Sequence, residues 1–373
     1  MQDYCDLVAA GTGPVALDAE RASGYRYSQR AYLVQVRRAG AGTAVIDPLD
    51  LPGLGALDRA IGPAEWVLHA ASQDLPCLAE LGMRPQRLFD TELAGRLLGY
   101  PRVGLATLLE HTLDSTLAKG YSAENWSTRP LPEEWIAYAA LDVELLLELR
   151  DHLAGELVAA GKQEWAEQEF AHLRSAGPPA PRPDPWRRTS GIHVIHGRRN
   201  LATVRALWEA RDEIARDRDI APGRILPDRA IVEAARVLPS ARGDLVALSG
   251  YRRNRDVTAW WRAIRATRDL PDTELPTVAR PIDQLPPPNR WRDRSPEAAT
   301  RLAGARAALA EISARVHTPV ENLVPPEAVR RLAWSPPDPI DVDGVRRALV
   351  DRAARRWQVD VTAQALTTAI AQA

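Results

Sequence analysis

The chain has 373 residues, 45% of them apolar and 26% charged, the make-up of a folded soluble protein with two or three domains. Two cysteines, an N-terminus without a basic-then-apolar leader and no uncharged apolar run near the ~20 residues of a membrane helix exclude a disulfide framework, a secretory signal and a membrane span, and the expected home is the cytoplasm. The net charge of −1 conceals a split: residues 1–175 carry 15 Lys+Arg against 25 Asp+Glu, which leaves the rest 33 of the 48 basic and 24 of the 49 acidic residues, every one of those 33 an arginine. Such a rear half points to an anionic partner.

In chain order, "VALDA", "AYLVQVRR" and "TAVIDP" read as the first three strands, each short, β-rich and bounded by turn residues. A helix from about Leu54 comes next, then a strand "WVLHA", a helix "LPCLAEL", a short "RLFD", and mostly helices to Ser175. One of these, "WIAYAALDVELLLELR" (135–150), reads as a single apolar helix with Ile136, Ala139, Ala140, Val143, Leu146 and Leu147 filling its turns. The order is that of an α/β domain with a mixed sheet. "GPPAPRPDPW" and "LPTVARPIDQLPPPNRW" read as extended Pro-rich linkers, each leading into a helical segment. Pro222 followed by "ILPDRAIV" resembles Pro319 followed by "LVPPEAV", which suggests two bundles of one type. The predicted layout is an α/β domain over 1–175, a linker over 176–197, a bundle over 198–274, a linker over 275–295 and a second bundle over 296–373.

Asp18 and Glu20 sit two apart on a strand expected to be central, so both project from one face. Asp74 stands just past "WVLHA", and Asp142 lies on a helix with Tyr138 one turn before it. Gathered together, four carboxylates repel by about 1–4 kcal/mol per pair at protein-surface dielectric. Divalent cations that prefer oxygen, Mg²⁺ or Mn²⁺, reverse that sign, and the lack of an accompanying His or Cys cluster argues against zinc. Singly, each acid has another reading. Asp18 and Glu20 could pair with arginines, Asp74 could cap the helix near Leu75 as Asp90 in "FDTEL" caps the next, and Asp142 could face solvent.

Taken in order, "VALDAERASGYRYSQRAYLVQVRR", "LHAASQDL", "FDTELAGRLLG", "LAKGYSAENWSTRPL" and "YAALDVELL" resemble the motifs of the ribonuclease D branch of the DEDD 3′→5′ exonucleases. "EARDEIARDRDIAPGRILPD" resembles the HRDC domain (helicase and RNase D C-terminal), and the last bundle resembles it in degenerate form. The resemblance implies a ribonuclease H-like mixed sheet with flanking helices, followed by two HRDC-type bundles. It implies hydrolysis of RNA from a single-stranded 3′ end to nucleoside 5′-monophosphates, with two divalent ions, Mg²⁺ or Mn²⁺, by a monomer. Asp18, Glu20 and Asp142 would hold one ion, Asp18 aided by Asp74 the other, and Tyr138 would orient the attacking water. Ala19 departs from the threonine often found there, so any contact of that hydroxyl is missing. Two rivals are a DNA exonuclease and a nucleic-acid-binding protein that has lost its nuclease.

For substrate contact, Lys119, Trp126 and Arg129 share one loop beside the helix of Asp142. A cation with an aromatic can grip a phosphate and stack a base; alternatively Trp126 packs beneath the loop and Arg129 pairs with an acid. The resemblance adds Gln35 in the second strand as a residue approaching the substrate. "YRRNRD" (251–256) is a candidate phosphate contact, Trp260 and Trp261 read as core, and His193 and His196 as ordinary polar residues.

Overall fold

A computed structural model describes residues 1–116, 120–121, 123–177, 182–278 and 285–372. Five strands form one mixed sheet in the order β3-β2-β1-β4-β5: β1 (Thr12–Arg21), β2 (Ala31–Ala39), β3 (Gly42–Ile46), β4 (Glu65–Leu68) and β5 (Arg87–Asp90). The first three pair antiparallel, while β4 and β5 run parallel to β1. Central β1 is therefore clamped on both sides, and its alternation splits the faces. Val15, Leu17 and Ala19 go into the core, whereas Asp18 stands opposite Gln35 and Glu20 opposite Leu33 on the other face.

Among the described residues, eight α-helices complete the α/β domain: α1 (Gln2–Ala10), α2 (Gly55–Ile61), α3 (Leu75–Glu80), α4 (Thr91–Leu98), α5 (Leu105–Leu113), α6 (Glu133–Glu144), α7 (Leu146–Ala159) and α8 (Gln163–Ser175). The sequence reading gave no helix for α1. It is nine residues long without a side-chain cap, and tertiary burial of Cys5 and Val8 holds it in place. The expected single helix over 135–150 is two, broken at Leu145, where φ is −108° and ψ 10°. Its apolar residues do not form one stripe: Ala139 and Val143 are buried, but Ile136 is 37% exposed, and after the break Leu146 and Leu149 take up the core positions. α6 lies across β1, β2 and β3. There Glu144 accepts from Arg37 Nη1 and from Thr43 Oγ1, each at 3.0 Å, which fixes the helix in register with the sheet.

The first helical bundle comprises α9 (Arg198–Arg218), α10 (Pro222–Ile225), α11 (Asp228–Val237), α12 (Arg242–Ala247) and α13 (Val257–Ala266), around its own apolar core. Trp186 and Ile195, placed in a linker by the sequence reading, belong to that core. Proline there removes ladder hydrogen bonds, yet it does not stop neighbouring apolar side chains from being buried. Trp260 is core as expected, its Nε1 donating to Asn254 at 2.9 Å.

The second bundle, α14 (Trp291–Arg294), α15 (Pro296–Val316), α16 (Val320–Leu323), α17 (Pro326–Trp334), α18 (Val342–Val350) and α19 (Arg356–Ala371), is continuous with the apolar core of the α/β domain. Trp165 of α8 stacks on Trp357 of α19 at 4.5 Å and 15°. Beside them, buried Glu169 accepts from Trp357 Nε1 at 2.8 Å and Arg355 Nε at 2.6 Å. Lys162, also buried, donates to the Leu97 carbonyl at 2.6 Å and to Thr318 at 3.1 Å. A shared core makes these two parts one cooperative unit. Trp357→Ala is expected to cost about 3–5 kcal/mol and to lower the midpoint of one urea transition covering both parts. Separate transitions followed by fluorescence and circular dichroism would contradict the shared core.

Candidate active site

Oxygen atoms of Asp18, Glu20 and Asp142 all lie within 4.8 Å of one another. The first two come from β1; the third comes from the α6 turn that Glu144 anchors. Asp74 occupies the N-cap position of α3, but its side chain makes no capping bond and instead stands 3.6 Å from Arg21. The helix-cap reading is therefore correct for its position and wrong for its carboxylate. Asp90 does cap, accepting from Leu93 N at 3.1 Å. It also accepts from the main-chain nitrogens of Ala70 and Ala71 at 3.1 and 2.9 Å, which holds the left-handed turn at Ala70 that leads to Asp74.

The electrostatics are those of a cluster short of positive charge. Burial, then the charges of Asp18, Asp142 and Asp74, push Glu20 up to about 9. Burial and then Asp18 push Asp142 up to about 7. Asp18 and Asp74 are raised too, chiefly by burial. Tyr138, one turn before Asp142 and half-buried against Tyr121 at 5.7 Å, is raised by burial and by the same acids, so it is a neutral phenol at pH 7. An all-oxygen set of half-buried, mutually repelling carboxylates fits hard divalent cations such as Mg²⁺ or Mn²⁺.

The sequence reading missed His69. It lines a cavity of about 200 Å³ together with Asp18 and Asp142, with Nδ1 2.9 Å from Thr91 Oγ1 and burial pushing it down to about 4. Its place at the end of an apolar strand beside Asp74 was the available signal. A second cavity, of about 180 Å³, opens beside Glu20 and Ser23.

The expected substrate contacts fare differently. Trp126 is wholly buried, edge-on to Trp135 at 5.5 Å, so it props the loop and offers no stacking face. Arg129 is spent on Asp47 at 2.6 Å and on the carbonyls of Trp126, Thr128 and Tyr32. Gln35 is wholly buried opposite Asp18, on the face α6 covers, with both amide atoms lacking a partner. Lys119 lies outside the described residues.

Comparison with known proteins agrees with this geometry. Residues 1–158 match the family model of a 3′-5′ exonuclease and residues 200–263 that of the HRDC domain. Ribonuclease D of Acidiphilium cryptum is 32% identical over 343 residues, covering 88% of this chain and 83% of that protein. The chain belongs to the ribonuclease D family. It is a hydrolase acting as a 3′→5′ exoribonuclease, dependent on divalent metal and binding nucleic acid. The crystal structure of Escherichia coli RNase D, an exoribonuclease involved in structured RNA processing, superposes with a TM-score of 0.70 at 25% identity, over 99% of this chain and 96% of that one. A protein from Bifidobacterium adolescentis superposes at 0.90 with 40% identity, over 99% and 94%. Residues 284–370 match a further family, the 3′ to 5′ exonuclease C-terminal domain. One HRDC bundle is thereby matched where two were expected. No described helix is long and apolar enough to cross a membrane.

A carboxyl group whose folded-state pKa exceeds its unfolded value of ~4 binds more protons folded than unfolded at intermediate pH, so stability falls as pH rises through that window. In EDTA the melting temperature should therefore drop between pH 6 and pH 9, the range of the Asp142 and Glu20 values. Added Mn²⁺ should raise it more at pH 8 than at pH 6, and a pH-independent response would refute the repulsive cluster.

Proposed function

We propose that the protein trims single-stranded 3′ ends of RNA to nucleoside 5′-monophosphates at the Asp18–Glu20–Asp142 cluster, acting as a cytoplasmic monomer with two divalent ions. The observation that carries this is the convergence of those three carboxylates beside a tyrosine kept protonated. Asp18, Glu20 and Asp142 would hold one ion, and Asp18 with Asp74 the second. When bound, such ions supply Lewis-acid stabilisation of the charge that develops at phosphorus and on the leaving 3′-oxygen.

The chain's own side chains do the rest. Tyr138, a neutral phenol, can accept from and donate to a water and so aim one of its lone pairs at phosphorus; with its raised pKa it orients the nucleophile and does not deprotonate it. Arg21 holds Asp74 in place. Leu17, Leu105 and Leu146 give the cavity that Asp18 and Asp142 share with His69 hydrocarbon walls, which strengthen the electrostatic interactions made there.

The relatives named ribonuclease D do not favour the DNA alternative. The first bundle would hold the RNA strand: Arg252 and Arg253 in "YRRNRD" are exposed and have no partner among the described residues, whereas Tyr251 is buried and Asp256 is paired with Arg218. We read the C-terminal bundle as a diverged HRDC-like copy. Each bundle has a helix of 21 residues, α9 or α15, that ends at a left-handed residue, Asp219 or His317, followed by a helix of four residues. The domain limits we propose are 1–175, 198–274 and 296–373, with Trp186 and Trp291 of the intervening segments packed onto the bundle that comes after each.

With a 3′-labelled RNA, the matching DNA and Mg²⁺ or Mn²⁺, the RNA should be shortened faster, releasing mononucleotides; equal rates or a DNA preference would overturn the RNA assignment. Asp18→Ala and Asp142→Ala should each lose at least about 10³-fold in kcat, and Tyr138→Phe about 10²-fold with KM little changed. Activity surviving either aspartate change removes the metal assignment.

A further inference from the structure

The loop between β1 and β2 leaves the catalytic strand just after Glu20, and its Ser23 and Gly24 form one wall of the cavity beside that residue. The α/β domain holds this loop with turn bonds from Tyr25 N and Arg26 N to the Ala22 carbonyl, both 2.8 Å, and with one bond from Arg26 Nε to Ser127 at 2.8 Å. Within the loop, Ser23 Oγ donates to Gln29 Oε1 at 2.7 Å and Gln29 Nε2 to the Tyr27 carbonyl at 3.2 Å, and a further set of anchors comes from the HRDC domain. Arg224 Nε donates to the Gly24 carbonyl at 2.8 Å, and its guanidinium lies 4.0 Å from the centre of the Tyr25 ring. Ala221 N donates to the Tyr25 carbonyl at 2.9 Å. Asp219, the left-handed residue ending α9, accepts from Ser28 N at 2.8 Å and Tyr32 OH at 3.4 Å. Tyr27 OH donates to Asp212 at 3.1 Å.

These contacts fall on Gly24, Tyr25, Tyr27 and Ser28 of one loop and on Tyr32 at the start of β2. Gly24 brings no side chain to pack, and a Cβ there would meet nothing within 4 Å. Once its carbonyl is released, a freely jointed glycine samples many conformations, and that part of the wall moves with it. The position of the wall beside Glu20 thus depends on a domain that begins almost two hundred residues later.

We infer that the HRDC domain is part of the catalytic centre, with Arg224, supported by Ala221 and Asp219, as a positioning residue that shapes the pocket for the 3′-terminal nucleotide. This rests on the exonuclease reading above, and it gives the domain a task separate from gripping the RNA strand. A ligand as small as one nucleotide should therefore sense Arg224.

The test uses the full-length protein with Mn²⁺ and two readouts: kcat and KM on a single-stranded RNA 20-mer, and inhibition by AMP, a mononucleotide too small to span to the HRDC surface. For Arg224→Gln the inhibition constant of AMP and KM should both rise by roughly tenfold, since displacement of a site wall by about 1 Å has effects of this order or larger. Arg224→Lys, which keeps a donor for the Gly24 carbonyl and a cation over Tyr25, should recover most of the loss, and Asp219→Asn should move both values in the same direction as Arg224→Gln. Mn²⁺ affinity and melting temperature should stay close to wild type. A higher KM with unchanged AMP inhibition would place Arg224 on the strand and overturn the inference, as would no change in either. An inactive wild type would instead overturn the exonuclease reading and this inference with it.

Discussion

Like-charge repulsion at one end of β1 is the constraint around which this fold is organised. Asp18, Glu20 and Asp142 meet within 4.8 Å with Asp74 close by, and each ionised member makes the next harder to ionise. Side chains that repel cannot hold themselves together, so their backbones must be fixed by contacts lying outside the cluster. Ladders on both sides of β1 do this for Asp18 and Glu20. The Arg37–Glu144–Thr43 contact does it for Asp142, and Asp90, through the Ala70 and Ala71 nitrogens, does it for the turn before Asp74. Among the described residues, the cation paired with a member of the cluster is Arg21, which stands against Asp74. The missing positive charge is left for ions to supply, which keeps the energy of the cluster available for binding them.

Two helical bundles join this centre by joints of opposite physical character. The C-terminal bundle shares the apolar core of the α/β domain and adds the Trp165–Trp357 stack and a buried lysine satisfied by carbonyls. Such a joint is strong and insensitive to salt, because it rests on surface removed from water. The HRDC domain keeps a core of its own, and it meets the β1–β2 loop through hydrogen bonds and cation–ring contacts, with Tyr27 packed against its apolar core. Individually these bonds contribute about 1 kcal/mol. One bundle is thus fixed through a shared apolar core, and the other is a polar arm joined to the loop that follows Glu20.

How much the sequence disclosed depends on how local each signal is. The alternation that sets Asp18 and Glu20 on one face needs only a strand, and the Tyr138–Asp142 spacing only a helical turn, so both were legible. The break at Leu145 was not, since "VELLLELR" is good helix by propensity and the change of packed face is decided by the sheet beneath. Arg129 and Trp126 carried the composition of a nucleic-acid grip. Whether they grip depended on Asp47, 82 residues from Arg129, and on Trp135 beneath the loop. Gln35 does stand opposite Asp18, but its burial comes from α6, far later in the chain. Asp212, Asp219 and Arg224 carry no local signal of such a role, since nothing nearby in sequence names a loop two hundred residues back as their partner.

The arginine surplus of the rear half has a physical origin of the same kind. Many of those guanidinium groups are committed to main-chain carbonyls: Arg198 to Asp272 and Leu275, Arg199 to Thr267 and Arg268, Arg301 to Ala333. Others close internal ion pairs, as Arg211 does with Asp228 and Arg218 with Asp256. A planar fork with five donors can satisfy two carbonyls at once, a service that lysine's point charge performs less well, and loops rich in proline leave carbonyls without ladder partners. The preference for arginine is therefore in part a solution to the backbone of these bundles. The share facing an anionic partner is the remainder, such as Arg252 and Arg253, and this smaller set, not the formal charge of the half-chain, should govern how steeply RNA affinity falls with salt.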